Sequence, residues 1–133
     1  MDTIRDIMNK KVITIDRDKT AQDAAKMMAQ HEVGSLVVVS DGKPVGIVTE
    51  RDLVRKVCTK DILSNKIPLT EIMSSPVISA DPDLPIETAV QRMFNNKIRR
   101  LVILDNDKLV GIITVSDLAK YVRTRSLLDK MFR

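Results

Sequence analysis

Gly46-Ile47-Val48-Thr49-Glu50-Arg51-Asp52-Leu53 returns 65 residues later as Gly111-Ile112-Ile113-Thr114-Val115-Ser116-Asp117-Leu118. Working outward, the same shift aligns Ile7-Met8 with Ile72-Met73 and Val12-Ile13 with Val77-Ile78. Asp16 and Asp18 meet Asp81 and Asp83, Ala24 and Met28 meet Ala89 and Met93, and Leu36-Val37 meets Leu101-Val102. Positions 7–53, 47 in all, align without a gap and hold 17 identities, and pairs such as Val33/Ile98 and Val38/Ile103 are conservative. The chain is a tandem duplication, so one unit has to be read twice.

Each copy carries the same order of patterns. A short apolar run (Val12–Thr14; Val77–Ser79) predicts a strand, followed by acidic turn residues. Thr20 with Asp23 three residues on has the spacing of a capping box, and Ala21, Ala24, Ala25 and Met28 share a helix face. In the second copy Pro85 suits a first helical turn, and Ile86, Ala89, Val90, Met93 and Phe94 recur at helical spacing. Two β-branched runs, Leu36–Val39 and Val45–Val48, flank Asp41-Gly42, a hairpin signal because both turn residues accept positive φ. Asn106-Asp107 takes that place in the second copy. A closing helix begins near Glu50 and near Val115, and a short lead-in helix (Thr3–Met8; Leu69–Met73) precedes each copy.

The expected fold is mixed α/β (α+β): two β-α-β-β-α units, at 3–58 and 69–121, a linker at 59–68 broken by Ser64-Asn65 and Pro68, and a basic C-terminal helix at 122–133. A unit of about 60 residues is marginal alone. The two are therefore expected to pack sheet against sheet about a pseudo-twofold axis, creating two equivalent clefts.

Composition narrows the function. The 133 residues are 44% hydrophobic and 30% charged, a globular balance. Aromatics are confined to Phe94, Phe132 and Tyr121, which argues against stacked-ring platforms for single-stranded nucleic acid. The net charge of +4 resides in the tail, where Lys120, Arg123, Arg125, Lys130 and Arg133 face only Asp129. One cysteine, Cys58, excludes an internal disulfide framework and a multi-cysteine zinc site; beside Leu53, Val54 and Val57 it reads as a buried small hydrophobe. His31, the one histidine, has no second ligand near it in sequence and reads as a surface or helix-end residue. No nucleophile–base pair and no phosphate-loop glycines are present, so neither catalytic nor metal-ligating residues are expected. Without a signal-like N-terminus or an apolar run near the ~20 residues of a membrane span, a soluble cytoplasmic protein is expected.

The repeated motif has two physical readings. An ionised Asp can accept two hydrogen bonds from a vicinal diol, and a helix N-terminus offers N–H groups to an anion. The same Thr-x-x-Asp spacing is also an ordinary helix cap. Gly46 and Gly111 either admit a ligand closely or mark a strand bend. Arg51, in a first helical turn, opposes the helix dipole; a phosphate, or a pair with Glu50 or Asp52, would offset that. Arg99 and Arg100, adjacent at a strand start, should point to opposite faces, so at most one enters a cleft.

Taken in order, the opening Ile7-Met8 and Ile72-Met73, Ser75-Pro76-Val77, Ile98–Asp105 and the two Gly-x-x-Thr-x-x-Asp-Leu motifs resemble a tandem CBS-domain pair. The likeness is to the Bateman module of stand-alone prokaryotic type and covers about residues 3–120. The resemblance implies a non-catalytic, energy-sensing regulatory module that binds AMP, ADP, ATP or S-adenosylmethionine in clefts between its units. Asp52 and Asp117 would take ribose hydroxyls, and Thr49 and Thr114 would lie near phosphate. Arg99 and Arg100 match a basic position that meets phosphate, where the first copy has Gly34 and Ser35; Arg51 completes the candidate set. No cofactor is required beyond the regulatory ligand. An unknown effector protein is the expected partner, and a homodimer through helix faces around Ala25, Met28, Met93 and Phe94 is the expected assembly. The alternatives are a structural oligomerisation module with degenerate pockets and a nucleic-acid binder using the basic helix, the latter disfavoured by the neutral body.

Overall fold

The computed structural model describes residues 2–132. The elements run α1 (Ile4–Ile7), β1 (Thr14–Asp16), α2 (Ala21–His31), β2 (Ser35–Ser40), β3 (Lys43–Thr49), α3 (Glu50–Leu53), α4 (Leu69–Ile72), β4 (Ser79–Ala80), α5 (Ile86–Asn96), β5 (Arg100–Asp105), β6 (Lys108–Thr114) and α6 (Val115–Met131). A π-helical turn, Val54–Cys58, extends α3, and a 3-10 turn, Ser64–Lys66, precedes α4. The fold is mixed α/β, with two three-stranded sheets ordered β1-β2-β3 and β4-β5-β6, each a parallel pair joined to an antiparallel hairpin.

The hairpin turns form as their residues dictate. Asp41 and Gly42 have φ of 51° and 78°, and Asn106 and Asp107 have 50° and 66°. Two consecutive positive φ values are the requirement of the turn that matches strand twist. The first strand of each sheet starts two residues later than the apolar runs suggest. Pairing with β2 begins at Thr14↔Val37, and Ile13 contributes only its carbonyl, to the Val37 N–H at 3.1 Å.

Two compact units result: residues 12–77, and residues 2–11 together with residues 78–132. These cut across the sequence copies, because each lead-in segment packs with the other copy's sheet. Ile4 is wholly buried among Ala80, Ala89, Leu101, Ile103 and Ile113, and its N–H donates to the Leu84 carbonyl at 3.0 Å. Asn9 and Ile112 exchange backbone hydrogen bonds of 2.8 and 3.0 Å. In the other unit Leu69 and Ile72 lie among Ala24, Met28, Leu36, Val38 and Val48, and Ile47 and Ser74 exchange bonds of 3.0 and 2.9 Å. The segment read as a linker is anchored in the same core through buried Ile67, whose carbonyl accepts from Ala21 N–H at 2.8 Å.

This exchange explains the two motif glycines. A Cβ on Gly46 would lie 2.7 Å from Met73 Sδ and 3.0 Å from the Ser74 carbonyl oxygen. On Gly111 it would lie 2.6 Å from Met8 Sδ and 3.1 Å from the Asn9 carbonyl oxygen. The close neighbour is thus the chain's own Ile-Met segment, which is why Ile-Met and Gly recur together.

Three further expectations change. The buried stripe is Ala21, Ala24 and Met28 on α2, and Ile86, Ala89 and Met93 on α5, narrower than the sequence spacing suggests. Met28 and Met93 fill their own units' cores, leaving Ala25 and Phe94 facing outward. Cys58 is exposed, because Leu53 and Val57, four residues apart, form the row that faces the core and Cys58 lies one position past it. The basic tail is not a separate helix: α6 runs unbroken from Val115 to Met131. Arg133 lies outside the described residues.

Helices α2 and α5 end identically. Glu32 and Lys97 sit in the left-handed region at φ 53° and 54°, and the following Val33 and Ile98 N–H groups donate back to Met28 and Met93 carbonyls. That geometry ordinarily belongs to glycine. Lys97→Gly is expected to stabilise the protein by ~0.5–1 kcal/mol, the relief of side-chain strain less the added chain entropy. Chemical denaturation checks it; a lower midpoint at unchanged m-value refutes it.

Candidate functional site

Thr-x-x-Asp caps four helices in this chain. Thr3 with Asp6, Thr20 with Asp23, Thr49 with Asp52 and Thr114 with Asp117 each place a carboxylate on the threonine backbone N–H, at 2.8 to 3.0 Å. At α2 the Thr20 N–H and hydroxyl hold the Asp23 carboxyl below the usual carboxylate range. The capping reading therefore holds at both motif copies. It uses one carboxylate oxygen, Oδ2, and leaves the role of each Asp to its second oxygen and its neighbours.

In the Val12–Val77 unit, Thr49 Oγ1 accepts from Asp52 N–H at 3.2 Å, and Asp52 Oδ2 accepts from the Thr49 N–H and hydroxyl at 2.9 and 3.1 Å. Asp52 is the one buried charged residue among those described. Its second oxygen, Oδ1, lies 3.1 Å from Lys56 Nζ, which also donates to the Ile72 carbonyl at 3.0 Å. The Glu50 N–H donates to the Gly34 carbonyl at 3.0 Å, bringing Gly34 and Ser35 beside the helix start. Arg51 is exposed on the first turn of α3 and pairs with neither Glu50 nor Asp52; the partner of Asp52 is Lys56.

The other unit builds the same frame with different side chains. Thr114 accepts from Asp117 N–H at 3.1 Å, and Asp117 Oδ2 accepts from Thr114 N–H at 2.9 Å. The Val115 N–H donates to the Arg99 carbonyl at 3.0 Å, and Arg100 stands opposite Thr114 in the β5–β6 register. Arg99 and Arg100 are thereby held at the N-terminus of α6. Among the described residues neither guanidinium has a hydrogen-bonded or ionic side-chain partner, and Asp117 Oδ1 has none either. Tyr121 stands where the first copy has Lys56, and its hydroxyl donates to Asp2 at 2.7 Å, which raises the phenol above its usual range. Arg125 also goes to Asp2, at 3.1 Å.

The structure thus gathers Thr114, Asp117, Arg99 and Arg100 at one helix start, and Thr49, Arg51 and Asp52 at another in a different unit. Lys56 is the neighbour that the motif reading missed, although its i,i+4 spacing from Asp52 is the signal of a helical ion pair. Chemically, the α6 start offers an unoccupied carboxylate oxygen for a hydroxyl; its Val115 and Asp117 N–H groups are already taken, so the cations for an anion are those of Arg99 and Arg100, whose backbones are held there.

The sequence matches the CBS domain family twice, over residues 4–59 and 69–124. The chain belongs to the CBS domain family. It is 38% identical over 119 residues to the CBS domain-containing protein YhcV of Bacillus subtilis, covering 90% of this chain and 84% of that protein. An uncharacterized conserved protein of Pyrococcus horikoshii has a similar structure, with a TM-score of 0.81, 33% identity, and coverage of 92% of this chain and 96% of that one. So does the CBS domain pair of protein MJ0100 in complex with 5′-methylthioadenosine and S-adenosyl-L-methionine: TM-score 0.82, 28% identity, coverage of 94% and 98%. The Gly-x-x-Thr-x-x-Asp segments close both CBS sheets, and this tandem pair is a regulatory module. Among its described residues no helix is long and apolar enough to cross a membrane.

Proposed function

We propose that this CBS pair is a non-catalytic cytoplasmic sensor that binds an adenosyl ligand, AMP, ADP, ATP or S-adenosylmethionine, and passes the bound state to an effector protein from a homodimer. The observation that carries the reading is the α6 start. Asp117 keeps one oxygen open for a ribose hydroxyl, Arg99 and Arg100 are held at the same helix start by their backbones, and neither has an ionic partner among the described residues. A carboxylate and two cations at one helix start suit a ligand that is a diol at one end and an anion at the other. The adenosyl ligands of the MJ0100 pair support that chemistry.

Calorimetric titration of ligand-stripped protein with AMP, ATP, S-adenosylmethionine and adenosine tests the reading. Saturable binding of an adenosyl ligand is expected, with thermal stabilisation of ~2.7 kcal/mol at a hundred times Kd. Neither heat nor thermal shift with any of the four at millimolar concentration overturns it.

The arginines should read phosphate. Arg99→Ala/Arg100→Ala is expected to weaken AMP binding by ~1.5–3 kcal/mol, about 10- to 150-fold, while adenosine changes little. The preference for AMP should shrink as salt rises, since partly exposed charges are screened. Unchanged AMP affinity at low salt would make both arginines ordinary surface residues.

A further inference from the structure

We infer that Lys56 closes the Asp52 motif to ligand, so that the pair holds one adenosyl site per chain, at Asp117, where its sequence repeats promise two. This rests on the adenosyl reading above and adds to it the rule that decides which copy binds.

The two carboxylates have the same cap and different second oxygens. Asp52 Oδ2 is taken by the Thr49 N–H and hydroxyl, and Oδ1 by the Lys56 ammonium at 3.1 Å. A ribose diol arriving there has to displace that charge-assisted contact. The ammonium is not free to swing away without loss. It also donates to the carbonyl of Ile72, the last residue of α4, whose oxygen has no partner further along that helix. Lys56 therefore joins the end of α4 to the start of α3, and the anion of this copy is neutralised inside the unit.

At the equivalent place in the other unit the residue is neutral Tyr121, and it is engaged elsewhere, on Asp2 at 2.7 Å. Arg125, the next cation along that face of α6, is drawn to Asp2 as well, at 3.1 Å. Asp117 Oδ1 is left with no protein donor among the described residues. The second-strand start follows the same division: Arg99 and Arg100 supply cations at the Asp117 copy, whereas Gly34 and Ser35 supply none at the Asp52 copy. One copy is thus saturated by its own side chains, and the other keeps a carboxylate and two guanidinium groups unused.

Stoichiometry measures this directly. Adenosine is the fair probe, because it makes no demand on the arginines that the Asp52 copy lacks. Calorimetry at low salt should give one adenosine per chain for the wild type and two for Lys56→Met, which keeps the length of the side chain and removes its charge. The Lys56 side chain is 42% exposed, so the fold should survive; Lys56→Gln provides an independent second variant. In the Lys56→Met protein the new site should prefer AMP over adenosine less than the Asp117 site does, since Arg51 is the cation left at its helix start, and adding Asp52→Asn should return the count to one. Two equal sites in the wild type, or a count still at one in both folded Lys56 variants, overturns the inference while leaving the adenosyl reading intact. Absence of binding in the wild type and both variants overturns the adenosyl reading, and this inference with it.

Discussion

Ile4→Ala is expected to destabilise the unit that contains residues 78–132 by ~2–5 kcal/mol, the usual cost of deleting a buried isoleucine down to its Cβ. Ile4 is wholly buried, and its neighbours Leu101, Ile103 and Ile113 come from β5 and β6 rather than from the strands that follow it in sequence. Only a few kcal/mol separate folded from unfolded in a domain of this size, so most of that unit's margin would go. Hydrogen exchange followed by mass spectrometry locates the effect. Peptides from Arg100–Thr114 should exchange faster, and peptides from Ser35–Thr49 should keep their protection. The opposite pattern, with loss in β2 and β3, would show that the lead-in belongs to its own copy.

Asp117→Ala should weaken adenosyl binding at the α6 start by one to two orders of magnitude. Loss of a charged acceptor typically costs ~1.5–3 kcal/mol, about 10- to 150-fold in affinity. The same substitution removes a cap contact at the start of α6, so a second variant separates the two roles. Asp117→Asn retains an oxygen for the Thr114 N–H, found at 2.9 Å from Oδ2, and removes the charge that a diol would use. If the carboxylate holds ribose, Asn binds weakly while its melting temperature stays near that of the wild type. If it is a cap alone, Ala lowers the melting temperature and affinity is untouched in both variants.

What the sequence makes legible is what local chemistry decides. Asp41-Gly42 and Asn106-Asp107 force positive φ, so both hairpins are readable; Thr-x-x-Asp before an apolar turn is readable as a helix start. The exchange of lead-in segments is not, because a repeat records what pairs with what and not which copy supplies it: Met8 and Met73 are equivalent by alignment. The two glycines have no single reading in sequence for the same reason, since the neighbour of each is a methionine of the opposite copy. Cys58 stands among apolar neighbours in sequence, but the row that faces the core is Leu53 and Val57, four residues apart, and Cys58 lies off it. At the site, motif spacing located Asp52 and Asp117 equally well and hid their difference. That difference lies four residues on, in Lys56 against Tyr121.

The exchanged lead-ins also order events in time. Val12–Val77 is a continuous stretch whose partners are all made once Val77 has been added, so it can close while the ribosome is still working. The first eleven residues have no such option. Asn9 waits for Ile112, made about a hundred residues later, and at 5–20 residues per second that is a delay of several seconds. During it Ile4, Ile7 and Met8 are an apolar segment without a home, and joining their sheet requires closing a very long loop. The unit that takes in residues 2–11 is started before the other and finished after it.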